Sequence, residues 1–174
     1  RAVGIDLVPE MLAASRPDLP PGARMAAGDL RRLPFRAGVF DLVTSHDVLY
    51  HAWVGDDRAA VAEMARVLAP GGLLLVRVPA LRLLWGAHDA EVQSRHRYTR
   101  RELLALLEGC GLELLRASYC NSLLFPLLLA RRSLDRLLSR QGSDVGFLPA
   151  PLEWAFRGAL LLEAALIRRG LSFP

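Results

Sequence analysis

The sequence of 174 residues contains no lysine; all 22 of its basic side chains are arginine. Against 18 acidic residues the balance is a net charge of +4, too mild to imply a nucleic-acid partner by charge alone. Cysteine is equally scarce. Cys110 and Cys120 have no metal-ligand spacing and no secretory segment beside them, so two small buried thiols in a reducing cytoplasm are expected, with no metal site and no disulfide framework. Long apolar runs are also missing: "SLLFPLLLA" (122–130) is broken by Pro126, and "GALLLEAALI" (158–167) carries Glu163. Neither is long enough to cross a membrane. The only Gly-x-Gly is Gly109-Cys110-Gly111, placed where a helix should end.

What remains is a globular composition, 52% apolar, in a length that suits one domain with a substantial core. The chain starts without Met inside a strand-like segment and stops at "LSFP" without a polar tail, so it reads as an internal fragment. Residues 1–121 read as an α/β core and 122–174 as a helical cap or extension.

Periodicity sets out the elements. Ala2–Asp6 reads as a buried strand, with Pro9 in the first turn of a helix carrying Met11, Leu12 and Ala14. A weak strand follows at 23–29 and a strong one, "FDLVTSH", at 40–46. Asp56 or Asp57 can cap a helix running to Leu68, with Val61, Met64, Ala65 and Leu68 on one face. The turn Pro70-Gly71-Gly72 then leads into a strand at 73–79. Thr99 and Glu102 form a capping box for a helix ending at Gly109-Cys110-Gly111, and "LELLRASYCN" (112–121) reads as a further strand. Segments 127–141 and 152–169 are helical, joined by a loop at 142–151. Alternating strands and helices predict a mostly parallel, doubly wound sheet covered on both faces.

Ligands of such sheets bind where the strand carboxyl ends meet helix N-termini. That rule collects Asp6 and Leu7, then Gly28, Asp29 and Leu30, then Ser45 and His46. A carboxylate at Asp6 can accept from both hydroxyls of a ribose, and one at Asp29 from an exocyclic amine, with Leu7 and Leu30 against the ring. Each Asp alone could equally cap a helix or sit in a turn. Their occurrence at adjacent strand ends favours a ligand.

The ordered stretches "VGIDLVPEML", "AAGDLRRLPFRAGVFDLVTSHDVLYH" and "MARVLAPGGLLLVRVP" resemble the class I S-adenosylmethionine-dependent methyltransferases that act on small molecules. "RHRYTRRELLALLEGCGLELLRASYCNSLLFP" (95–126) resembles the later half of such enzymes. The resemblance implies a Rossmann-like three-layer α/β fold with S-adenosyl-L-methionine as cofactor. It assigns the ribose diol to Asp6, the adenine edge to Asp29 and Leu30, and the methionine portion to Ser45 and His46. It also implies that the family's first strand with its glycine-rich loop, and its last strand, are absent from this sequence. The fragment by itself is therefore expected to be inactive.

Methyl transfer needs a general base only for a protonated acceptor, and His46 and His96 are the preferred candidates over His51 and His88. Tyr50, Trp53, Trp85 and Tyr98 could face a sulfonium or an aromatic acceptor. Arg95, Arg97, Arg100 and Arg101 could hold an acidic one. A lipophilic acceptor is the other expectation. Residues 127–141 set leucines against arginines, a pattern suited to the inner face of an anionic membrane, though packing as a substrate cap or homodimer contact is the commoner use of such helices. Two other readings stand beside methyl transfer: a nicotinamide-dependent dehydrogenase and a non-catalytic interaction module.

Overall fold

The computed structural model describes residues 1–137 and 150–173. It divides into two compact units: Arg1–Val78 with Ala105–Glu113, and Pro79–Leu104 with Leu114–Pro174.

In the first unit, β1 (Val3–Asp6) pairs in parallel with β2 (Arg24–Ala27), Asp6 standing opposite Ala27. The crossover is α1 (Pro9–Ser15), which opens on a proline because the first helical position needs no N–H donor. β3 (Phe40–His46) and β4 (Leu68–Arg77) form a second parallel pair, with Leu42 opposite Leu73 and His46 opposite Arg77. Their crossover is α2 (Asp57–Val67), capped by Asp56, whose carboxylate accepts from Ala59 N at 2.9 Å. Ala60, Val61, Met64 and Val67 lie buried along one face of α2, and Leu12, Leu33, Leu49 and Val54 complete the core.

The expected turn before the fourth strand is absorbed into it. β4 begins at Leu68 and bulges, so that Phe40 opposes Leu68 while Leu42 already opposes Leu73. Gly72 permits the bulge: a Cβ there would lie 2.9 Å from Ala69 O and 3.0 Å from Phe40 O.

Parallel pairing is thus as expected, but the described strands form two separate pairs and not one ladder. Leu42, Leu73 and Leu75 share one face of the β3–β4 pair and are each about half exposed, whereas Ser45 is buried.

The second unit is pinned by a bridge between Ala80 and Tyr98, with Tyr98 N donating to Pro79 O and Leu81 N to Tyr98 O, both at 3.0 Å. A short helix, α3 (Ala87–Glu91), carries Asp89. The next helix, α4 (Arg100–Glu108), opens on the expected capping box: Glu102 N donates to Thr99 Oγ1 at 3.2 Å, and Thr99 N to Glu102 Oε2 at 2.7 Å. Gly111, at φ 79°, ends it as expected.

No strand forms at 112–121. A strand needs a neighbouring ladder, and this segment bonds to the C-terminal tail instead. Tyr119 N donates to Phe173 O, Phe173 N to Ser118 Oγ, and Arg116 Nη2 to Ile167 O and Leu171 O.

The last helices are α5 (Phe125–Leu137) and α6 (Ala150–Arg168). The part of the expected helix at 127–141 beyond Leu137, and residues 142–149 of the expected loop at 142–151, lie outside the described residues; Ala150 and Pro151 of that loop belong to α6 instead. α6 turns Glu163 inward, where its carboxylate accepts from Leu123 N at 2.9 Å, and leaves Trp154, Leu161 and Leu162 exposed. Among the described residues no helix is long and apolar enough to cross a membrane.

Candidate functional site at the strand carboxyl ends

Asp6 closes β1, and its backbone carbonyl accepts from Gly28 N at 3.0 Å, so the ends of β1 and β2 are held side by side. Gly28, Asp29 and Leu30 therefore follow directly beside Asp6. Asp6 Oδ1 accepts from Val8 N at 2.8 Å, which starts the turn into α1. This bond is a turn ahead of α1 and not the helix cap anticipated for Asp6, since Val8 O receives the first helical bonds, from Met11 N and Leu12 N, and it occupies one oxygen. A single such bond leaves a carboxylate with further acceptor capacity.

Asp29 is more heavily engaged. Its Oδ1 accepts from Arg31 N at 2.8 Å and Arg31 Nε at 3.0 Å, and its Oδ2 accepts from Arg31 Nη2 at 2.7 Å. These bonds hold the Asp29 carboxyl below its ordinary value and raise the Arg31 guanidinium above its own. Arg31 was not anticipated as part of the site. The signal was present as an Asp followed two residues later by Arg, but a sequence does not say which way a long side chain folds.

The loop behind Asp29 is clamped by α2. Glu63 Oε2 accepts from Leu33 N at 2.9 Å, while Arg66 donates to Leu33 O at 3.2 Å, to Phe35 O at 2.9 Å and to both oxygens of Glu63. The Glu63 carboxyl is held below its ordinary range, first by the Arg66 guanidinium and also by Leu33 N, against the opposing effect of burial. Through this pair the helix fixes the direction in which the chain leaves Asp29.

Ser45 and His46 end β3. Adjacent strand residues face opposite ways, and burial agrees: Ser45 is 5% exposed, whereas His46 is exposed. The two are therefore brought to one strand end but not to one face. Ser45 Oγ is buried without a hydrogen-bond partner among the described residues, and burying an unpaired hydroxyl is costly. Just beyond, Asp47 at φ 54° pairs with Arg77 of β4. The His51 ring packs against those of Tyr50 and Trp53, at centroid distances of 4.3 and 5.6 Å.

His96 belongs to the second unit. Its ring lies 4.1 Å from that of buried Tyr98, and it lines a cavity of about 400 Å³ with Arg82, Trp85, Arg95 and Arg97. Arg97 is anchored by buried Asp89, with Nε at 2.8 Å from Oδ1. Arg100 and Arg101 do not line this cavity. No cluster able to hold a metal ion occurs among the described residues.

Comparison with known proteins gives a consistent result. Residues 1–76 match the methyltransferase domain family. A Mycolicibacterium smegmatis protein named as an S-adenosylmethionine-dependent methyltransferase is 31% identical over 115 residues, 65% of this chain and 44% of that protein. A demethylmenaquinone methyltransferase of Mycolicibacterium vanbaalenii is 47% identical over 75 residues, 42% of this chain and 30% of that enzyme. The chain thus spans less than half the length of these relatives. The crystal structure of an S-adenosylmethionine-dependent methyltransferase from Mesorhizobium loti matches with a TM-score of 0.59 at 22% identity, over 80% of this chain and 75% of that one. That likeness establishes a Rossmann-like α/β fold.

Proposed function

We propose, from the premise that residues 1–76 belong to the class I S-adenosylmethionine-dependent methyltransferases, that the protein transfers a methyl group to a small-molecule acceptor of lipophilic or acidic character. The observation that carries this reading is the Asp6–Gly28 contact, which sets two carboxylates, Asp6 and Asp29, at neighbouring parallel strand ends. When bound, S-adenosylmethionine supplies a methyl group on a positively charged sulfur, a good leaving group.

The residues present fit that group, with one rearrangement. Asp6 keeps acceptor capacity for a ribose hydroxyl beside its bond to Val8 N. Exposed Leu7 and half-buried Leu30 offer apolar surface to a ring. Asp29 would receive the exocyclic amine, for which Arg31 must first yield. Gly28 lets the chain turn close beside Ile5, since a Cβ there would lie 3.1 Å from the Ile5 side chain. Ser45 Oγ would give its unmet hydrogen bond to the methionine portion. His46 and His96 are the proposed acceptors for the proton of a protonated substrate, and the remaining work is alignment and exclusion of water.

Relatives named as demethylmenaquinone methyltransferases and the exposed apolar side chains of α6 support a lipophilic acceptor. The same side chains support contact with a membrane surface or a second copy, and a cytoplasmic enzyme with a helical extension at 122–174 is the arrangement proposed.

Calorimetry of the complete protein with S-adenosylmethionine tests the reading. Asp6→Asn retains an acceptor for Val8 N but loses the charge and half the acceptor capacity. Affinity should fall at least about tenfold with unchanged thermal stability. Absence of binding by the parent protein would overturn the reading, and unaltered binding by Asp6→Asn would remove Asp6 from the site.

A further inference from the structure

α6 buries one of its acids and exposes much of its apolar surface, the reverse of a helix whose outer side only meets water. Of its two carboxylates, Glu163 is 3% exposed and accepts from Leu123 N at 2.9 Å, while Glu153 stands exposed in the first turn. Phe156, Ala159, Leu166 and Ile167, spaced three, four and seven residues from Glu163, are partly covered on the same side. Away from Glu163, Trp154 is 81% exposed, Leu161 58% and Leu162 56%, with Gly158 exposed among them. Trp154, Gly158, Leu161 and Leu162 recur at three- and four-residue intervals, so they form one strip about two turns long.

The charges that flank this strip are of one sign. Arg157 follows Trp154 by about one turn, and Arg168 and Arg169 follow Leu161 and Leu162 by about two. All three arginines are exposed. Arg168 Nε reaches back to Ala164 O at 3.4 Å, within its own helix. Among the described residues no ion pair involves Arg157, Arg168 or Arg169. An arginine lays its stem along apolar surface and keeps its head in a polar layer, and an indole favours the boundary between the two.

We propose that α6 lies flat on an anionic lipid surface, with Trp154, Leu161 and Leu162 among the acyl chains and Arg157, Arg168 and Arg169 on phosphate headgroups. A second copy of the chain fits less well. In a two-fold contact each copy brings three arginines and one exposed glutamate, so self-association sets like charges together. A layer of anionic headgroups neutralises them instead. The contact rests on the reading of α6 as an apolar docking side and uses no residue proposed for S-adenosylmethionine, so either can fail without the other.

The test is sedimentation of the complete protein with vesicles of phosphatidylcholine, alone or with phosphatidylglycerol as a minor component. The anionic vesicles should bind at least about tenfold more tightly, and added salt should reduce the difference. Arg157→Gln should weaken that binding about fivefold, and Leu161→Gln with Leu162→Gln at least about tenfold, while circular dichroism and thermal midpoint remain unchanged. Trp154→Phe should still bind but lose the blue shift of tryptophan emission that vesicles produce in the unsubstituted protein. Arg36→Gln, at an exposed position of the first unit, should change binding less than about twofold. Equal binding to neutral and anionic vesicles, no vesicle binding, a blue shift retained in Trp154→Phe, or an equal loss from Arg36→Gln and Arg157→Gln overturns the proposal. So does a vesicle-free dimer that the double leucine variant dissolves, which assigns the strip to a second copy. A fall in that variant's thermal midpoint also overturns it, since another part of the protein then covers the strip.

Discussion

Arg31 and Asp29 face each other across a two-residue turn, with Nη2 2.7 Å from Oδ2 and Nε 3.0 Å from Oδ1. The acid proposed to read an adenine amine is thus already satisfied by its own loop. A ligand amine must displace charged hydrogen bonds, and Arg31 then acts as a competitor. Arg31→Ala should tighten S-adenosylmethionine binding by the complete protein about threefold, whereas Asp29→Ala should weaken it about tenfold. Calorimetry reads both, and a loss of affinity in Arg31→Ala would show that the arginine assists binding.

The Glu63–Arg66 pair gives a pH dependence whose sign is fixed. The folded Glu63 carboxyl lies below its ordinary value of 4.5, so the unfolded chain binds its proton first as acid is added. The stabilisation is present above pH 4.5 and is lost as pH falls from there through the folded value. Asp29 and Glu102 are shifted the same way. Urea midpoints measured from pH 7 to pH 3 should decline, and Glu63→Gln should be less stable at pH 7 with a shallower decline.

Much of this architecture was legible because its signals are local. The Asp56 cap, the apolar face of α2 and the Thr99–Glu102 box each require only neighbours within one or two turns. The misreadings involve partners distant in sequence. Residues 112–121 have the composition of a strand, but a strand exists only beside another, and Phe173 and Leu171 claim its polar groups instead. The Pro70-Gly71-Gly72 turn became a bulge because β3 continues to pair across it. At the site, Asp6 and Asp29 could be found from chain order, but the fork to Arg31 and the opposite facing of Ser45 and His46 are three-dimensional facts. The cavity was half visible: Trp85, Arg95, His96 and Arg97 were candidates, while Arg82 is added by the fold.

The capping box of α4 predicts a modest, separable loss. Thr99→Ala removes the acceptor for Glu102 N, and a lost N-cap costs about 1 kcal/mol. Thr99→Ser should recover most of it. The alanine substitution loosens Glu102, which holds Arg82. Denaturant midpoints of the two variants read the loss and its recovery.

Two glycines with crowded surroundings should respond differently to alanine. At Gly72 the obstacles are backbone oxygens, Ala69 O at 2.9 Å and Phe40 O at 3.0 Å, and neither can move without disturbing the β3–β4 register. At Gly86 the obstacle is the Arg132 guanidinium, the far end of a flexible side chain. Gly72→Ala should cost about 1–3 kcal/mol, the range for forced overpacking, and Gly86→Ala well under that. The Gly86 substitution should instead displace the Arg132 guanidinium. Denaturant midpoints rank the two variants, and a larger loss at Gly86 would mean that the Arg132 contact is a structural anchor of the second unit.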